Sequence, residues 1–258
     1  SRDWKYGKRS TSVFIRNGVF PTGASGESEL NVTINDNPYI ASACVGNSIV
    51  FNVFDPVSFK PWSNVGPNGE NLYKSGSGSA NCGFRRYYNF EFSYMTPASR
   101  RLIMNFMDSI PAGFYVVARS MDKDIPNSYS ATWRGDTTYN GGSYNSLYHR
   151  LLAEGMMNID SMYKPRAWIF MYQKGGESFT PLYYQTDSIF DRGKLAATVY
   201  TPDTLGYITS PVFGPAKEWK DVIWNGVSLE DPSTDNPSVD IIGVDAHKNE
   251  TLLHTLSS

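Results

Sequence analysis

Apolar residues recur along this chain with two different periods, and the texture changes past Gly176. Residues 13–18 and 28–35 read as strands. In the second, Leu30, Val32 and Ile34 alternate with polar positions, the period-two signature of a half-buried strand. Asn35-Asp36-Asn37-Pro38 is a turn cluster. Residues 48–55 are more continuously apolar, which predicts the middle of a sheet, and 87–92 predicts a further strand. Thr96-Pro97 opens a helix in which Leu102, Ile103, Phe106, Met107 and Ile110 share one face, and Pro111-Ala112-Gly113 ends it. A strand follows at 114–119. Residues 122–142, with Trp133, Arg134, Tyr139 and Gly141-Gly142, show no period and predict an elaborated surface loop. Ser143 then caps a second helix that sets Tyr144, Leu147, Tyr148, Leu151 and Leu152 on its apolar side and stops at Gly155; a strand follows at 168–172.

Beyond Gly176 the helical period disappears. Short apolar runs at 195–200, 206–210, 222–224, 239–244 and 251–253 predict strands, with Asp245-Ala246-His247-Lys248-Asn249 as a hairpin loop. The expected class is α+β: a mixed α/β domain over residues 11–180 whose sheets are flanked by short helices, then a β-sandwich-like segment over 190–258. That segment is too short for a seven-stranded sandwich of its own. The termini, at Ser1 and at Leu256-Ser257-Ser258, predict a piece of a longer polypeptide.

At 258 residues, 40% hydrophobic and 19% charged, the chain has the composition of an ordinary globular protein. A net charge of −2 gives no electrostatic case for nucleic acid, and no apolar run reaches the ~20 residues of a membrane span. Seventeen tyrosines outnumber the fourteen phenylalanines. That excess suits surfaces with an apolar body and a polar tip, or a β-rich core with tyrosines at its edges. Cys44 and Cys82 each precede a predicted strand. If those strands are neighbours, a disulfide would close the long Gly/Asn/Ser-rich loop between them; free thiols in a reducing compartment are the alternative.

The usual catalytic patterns are missing. The three histidines, His149, His247 and His254, have no second ligand type at metal spacing, and no nucleophile elbow, Walker loop or dinucleotide fingerprint occurs. Asp55, Asp108, Asp122, Asp124 and Asp160 are carboxylates of a kind that commonly cap turns. The expectation is a protein that is not an enzyme and needs no cofactor and no metal.

Residues 48–56, 109–122 and 166–176 together resemble the domain of the interleukin-like epithelial–mesenchymal-transition (EMT) inducers, the GG domain. The resemblance rests on Val53-Phe54-Asp55-Pro56, Ile110-Pro111-Ala112-Gly113, Met121-Asp122 and the strand from Trp168 to Lys174-Gly175-Gly176. It covers about 11–180. The chain departs from the family in a longer insertion after Asp122, in having only two cysteines, and in matching the Arg ahead of the tryptophan strand by Arg166 alone. Within the tail, 208–219 and 239–253 resemble large surface proteins of Bacteroidota that end in a type IX secretion signal, some of which carry a gingipain-like protease domain. Asp-Ser or Asp-Thr triplets at Asp108, Asp136, Asp160, Asp187 and Asp203 fit the short O-glycosylation motif of that phylum.

These resemblances imply an exported, cell-surface location and a non-catalytic structural or protein-docking module. Its partners would be other domains of a larger chain or other surface proteins, with no insertion into the membrane. The alternatives are a carbohydrate-binding module and an accessory domain of a surface protease. For the carbohydrate reading, the resemblance gathers Asp55, Asp122, Arg166, Trp168, Gly175 and Gly176 where the loops after Phe54, Arg119 and Tyr172 converge, with Trp133 and Tyr139 as further stacking surfaces. Such a site would lie beyond the carboxyl ends of neighbouring strands, as ligands do in open α/β sheets.

Overall fold

The computed structural model describes residues 8–26, 29–41, 46–68, 87–123, 130–176, 178–203, 209–218, 220–223 and 236–257, the side chains of 38–41 excepted. The chain forms two units, 1–206 and 207–258. Cys44 and Cys82, and most of the Gly66–Gly83 loop, lie outside the described residues.

The first unit is built on two antiparallel sheets. Strands β1 (Lys8–Gly18), β2 (Asn31–Ile34), β3 (Asn37–Ala41) and β9 (Arg192–Pro202) form one, in the order β3-β2-β1-β9. Strands β4 (Ser48–Phe54), β5 (Phe90–Ser93), β6 (Tyr115–Met121), β7 (Trp168–Gln173) and β8 (Leu182–Gln185) form the other, in the order β5-β4-β6-β7-β8. Every named pairing is antiparallel. The fold is therefore a sheet-rich α+β arrangement.

Local sequence explains the elements. Asn35 and Asp36 both adopt left-handed φ (48° and 62°), the backbone of a two-residue hairpin turn, and so join β2 to β3. Strand β4, apolar except at Ser48 and Asn52, is buried at every position because the strand is interior and both faces are covered. Val13, Ile15, Val32, Leu195 and Val199 of the four-stranded sheet meet Phe54, Tyr115, Val117, Ile169 and Met171 of the five-stranded one in an inter-sheet core. The opposite face of the larger sheet carries Phe51, Val53, Phe90, Phe92, Val116 and Phe170, and helices cover it.

Helix α1 (Pro97–Ser109) begins as its sequence predicts, the Thr96 hydroxyl accepting the Ser99 amide at 3.1 Å. Its buried face differs from the prediction: Leu102 is exposed, and Arg100 takes a buried place beside Ile103, Phe106 and Met107. The segment read as a surface loop contains α2 (Ser130–Gly135) and α3 (Thr137–Asn140), with Trp133 buried against Tyr94. The next helix, α4 (Leu147–Ala153), starts after Ser146 rather than Ser143, which leaves Tyr144 outside it and in solvent.

The run at 195–200, grouped by its texture with the tail, is β9, and it pairs with β1 along the whole strand from Lys8↔Pro202 to Gly18↔Arg192. Among the described residues of the second unit the regular elements are β10 (Ser238–Val244) and β11 (Glu250–Ser257), paired with each other. Asp245 accepts the amides of His247 and Asn249 at 2.8 Å each and so closes their hairpin. Residues 209–210 and 222–223 are not strand, and the remainder of those two predicted strands lies outside the described residues.

Candidate functional site

The antiparallel order divides the predicted site in two. Phe54, the last residue of β4, pairs with Tyr115, the first of β6, whereas Met121 at the far end of β6 pairs with Ser48. Tyr115 also pairs with Gln173 of β7. Asp55 and Gly175-Gly176 therefore share one end of the larger sheet, and Asp122, Arg166 and Trp168 share the other. At about 3.4 Å per residue the length of β4 separates the ends by roughly 20 Å. The expected convergence of three loops does not occur, because it needs parallel strands.

At the first end each group is engaged. The Asp55 carboxylate accepts the amides of Val57 (3.0 Å) and Ser58 (2.6 Å) and the Ser58 hydroxyl (2.9 Å), which makes it the organiser of its own turn. Partial burial opposes its charge, but these hydrogen bonds outweigh burial and Lys60 adds to them, so its carboxyl titrates below the ordinary value. Arg9 donates to the carbonyl oxygen of Ser58 at 2.7 Å and packs the same turn. Across from it, Lys174 donates to Glu154 at 2.5 Å and Glu154 also accepts the Gly175 amide. Gly175 has φ +55°, so a side chain there is strained whatever the space around it.

At the second end a buried polar cluster surrounds Asp122, which is 3% exposed. Its carboxylate accepts the Tyr94 hydroxyl at 2.5 Å. Burial raises its pKa to about 7, and the hydrogen bonds from Tyr94 and Ser120 only partly offset that. Its carbonyl oxygen accepts the Phe20 amide, which ties the chain leaving β1 to the end of β6. Asn17 donates to the Ser120 carbonyl (2.7 Å) and the Trp168 carbonyl (2.9 Å), and the Trp168 amide donates to the Ser120 hydroxyl (3.1 Å). Trp168 itself is core. Arg166 is half-buried near Tyr183; burial pushes that phenol up to about 12 although a hydrogen bond with Ser161 and the Arg166 charge pull it down. No hydrogen bond among the described residues joins Arg166 to Asp122. Trp133 is likewise core, and of the proposed stacking residues only Tyr139 is exposed.

Two features escaped the sequence. Arg100 donates through Nε and Nη2 to Asp136 (2.5 and 2.8 Å) and through Nη1 to the Tyr94 carbonyl (2.6 Å), all buried. Arg119 lies wholly buried on the inter-sheet face, with Nη1 3.5 Å from the Arg16 carbonyl; burial lowers its pKa to about 10 against the pull of Glu91. The second had a visible sign, since Arg119 sits in an otherwise apolar run at a position in phase with Tyr115 and Val117. Chemically the Asp122 cluster can hold or release one proton, and the Asp55 and Asp122 carboxylates are too far apart to act as a pair. Among the described residues no three of His, Cys, Asp and Glu are placed to hold a metal, and no helix is long and apolar enough to cross a membrane.

No family model matches the chain, and no curated protein matches it.

Proposed function

We propose that the chain is a non-catalytic structural or protein-docking module of a secreted bacterial cell-surface protein linked to type IX secretion, with an interleukin-like EMT inducer (GG-type) domain over residues 11–180. The observation that carries the docking reading is the hairpin β10–β11. Ile242 and Leu252 pair in register on one face and Leu253 lies on the other, and all three are about half exposed or more. Among the described residues neither outer edge of the hairpin is paired. A lone two-stranded ribbon is marginal in water, and an open apolar ribbon edge is a template for another strand. A surface supplied by a neighbouring domain or protein would satisfy both. The burial of Trp133 and Trp168 and the separation of Asp55 from Asp122 weigh against sugar binding by those residues.

Hydrogen exchange tests this reading. Amides of 238–257 should exchange rapidly in the chain alone and become protected in the intact cell-surface protein. Protection in the isolated chain equal to that of β4 and β6 would overturn it, since the hairpin would then need no partner.

A further inference from the structure

We propose that β9 is a self-association edge: two copies of the chain pair antiparallel through β9, about a twofold axis at Ala197, and join their four-stranded sheets into one. This goes beyond the docking reading, which rests on a different element. The two sheets of the first unit have four edge strands. Strands β5 and β8 are four residues long, and β3 carries Pro38, which has no N–H, and shifts register against β2. Short strands, proline and bulges are the devices that keep a sheet edge from pairing further. Strand β9 has eleven residues, pairs with β1 without a shift, and meets no strand on its other side among the described residues.

The groups which that edge offers follow from the ladder. The Asn35 amide donates to the Ser12 carbonyl at 2.9 Å, in the register of β1 with β2. Even-numbered residues of β1 therefore bond toward β2 and odd-numbered ones toward β9. Val13 pairs with Ala197, so the odd-numbered residues of β9 bond to β1. The outer side is left with the N–H groups of Arg192, Lys194, Ala196, Thr198 and Tyr200, their carbonyls, and the Pro202 carbonyl.

That set is self-complementary. With the axis at Ala197, Ala196 faces Thr198 of the second copy, Lys194 faces Tyr200, and Arg192 faces Pro202. The first two pairings give two hydrogen bonds each and the third gives one, because Pro202 has no N–H; the axis repeats all three, so ten bonds form and every outer N–H finds a carbonyl. No like charges oppose each other, and the Lys194 ammonium lies across from a tyrosine ring. On the inner face Leu195 meets Val199, which continues the inter-sheet core to which both belong. An axis at Ala196 satisfies the same N–H groups but sets Val199 against Gly193, so the apolar match selects Ala197. Strand addition of this kind draws its affinity from the main chain and its specificity from alternate side chains.

Sedimentation equilibrium of the full chain from about 1 μM to about 1 mM tests the proposal, with amide exchange followed alongside. The expected result is a mass that rises to twice the monomer while the amides of Lys194, Ala196, Thr198 and Tyr200 become protected. Thr198→Pro removes an outer N–H that the monomer does not use, and the dimer should weaken roughly tenfold or more. Ala196 and Thr198 are exposed, so charges there leave the core alone. The double variants Ala196→Lys with Thr198→Lys and Ala196→Glu with Thr198→Glu should each be monomeric and folded, and an equimolar mixture of the two should pair. The proposal is overturned if the chain stays monomeric to about 1 mM, if its dimer is indifferent to Thr198→Pro and to both double variants, or if the outer amides of β9 are protected in the monomer or by the strand of another protein.

Discussion

Asp122 makes a prediction that can be followed through the whole pH range. Its carboxyl is buried beneath Tyr94, and its pKa rises from 3.8 to about 7. Below about pH 4 the carboxyl is protonated in the folded and unfolded chain alike. Between about pH 4 and pH 7 the unfolded chain releases the proton while the folded one keeps it, so stability falls as pH rises. At about 1.4 kcal/mol per pKa unit the total loss approaches 4 kcal/mol by neutrality, after which it levels off. Asp122→Asn imitates the protonated acid and keeps an oxygen to accept the Tyr94 hydroxyl. Urea unfolding of both proteins should show equal stability near pH 4 and a widening advantage for the variant toward pH 8. Tyr94→Phe removes a donor that favours the ionised form, so the Asp122 titration seen by carboxyl NMR should move to still higher pH. A stability difference between Asp122→Asn and the parent that is constant with pH would refute the argument. So would a carboxyl that titrates near 4.

Two further substitutions test the packing. Asp136→Ala leaves the buried Arg100 guanidinium without its bidentate carboxylate and should cost about 3–5 kcal/mol, measured by chemical denaturation; Arg100→Met with Asp136→Leu should recover much of that loss. Phe106 lies within 4.8–5.5 Å, centroid to centroid, of Phe51, Phe90 and Phe92, and Phe106→Ala should cost about 3–5 kcal/mol by the same assay.

Much of the fold was legible because its signals are local. The largely apolar run of β4 and the Thr96-Pro97 helix start each state their own element and form it, while the alternating stretch forms a shorter strand, Asn31–Ile34, that leaves Leu30 outside. Tertiary contacts decided the rest. Arg100 displaces Leu102 on the buried face of α1 because Asp136 and the Tyr94 carbonyl satisfy its guanidinium, and no helical period can announce that. Helices α2 and α3 are six and four residues long, too short for a periodic pattern to emerge. They are held by the burial of Trp133 and by the Asp136 pair.

The candidate site was legible as a set of residues and not as a place. A helix followed by a strand, twice over, suits a parallel sheet as well as an antiparallel one, and only the parallel choice brings the carboxyl ends of neighbouring strands together. Here β4, β6 and β7 alternate in direction, so motifs that each end a strand fall at opposite ends of the sheet. The consequence is specific. Asp55 and Lys174-Gly175 fasten one end, the first through its own turn and the second through Glu154; Asp122, Ser120 and Asn17 fasten the other. Those residues spend their hydrogen bonds on the chain itself. Loss of the Asp55 or Asp122 carboxylate should therefore show first as a change in stability.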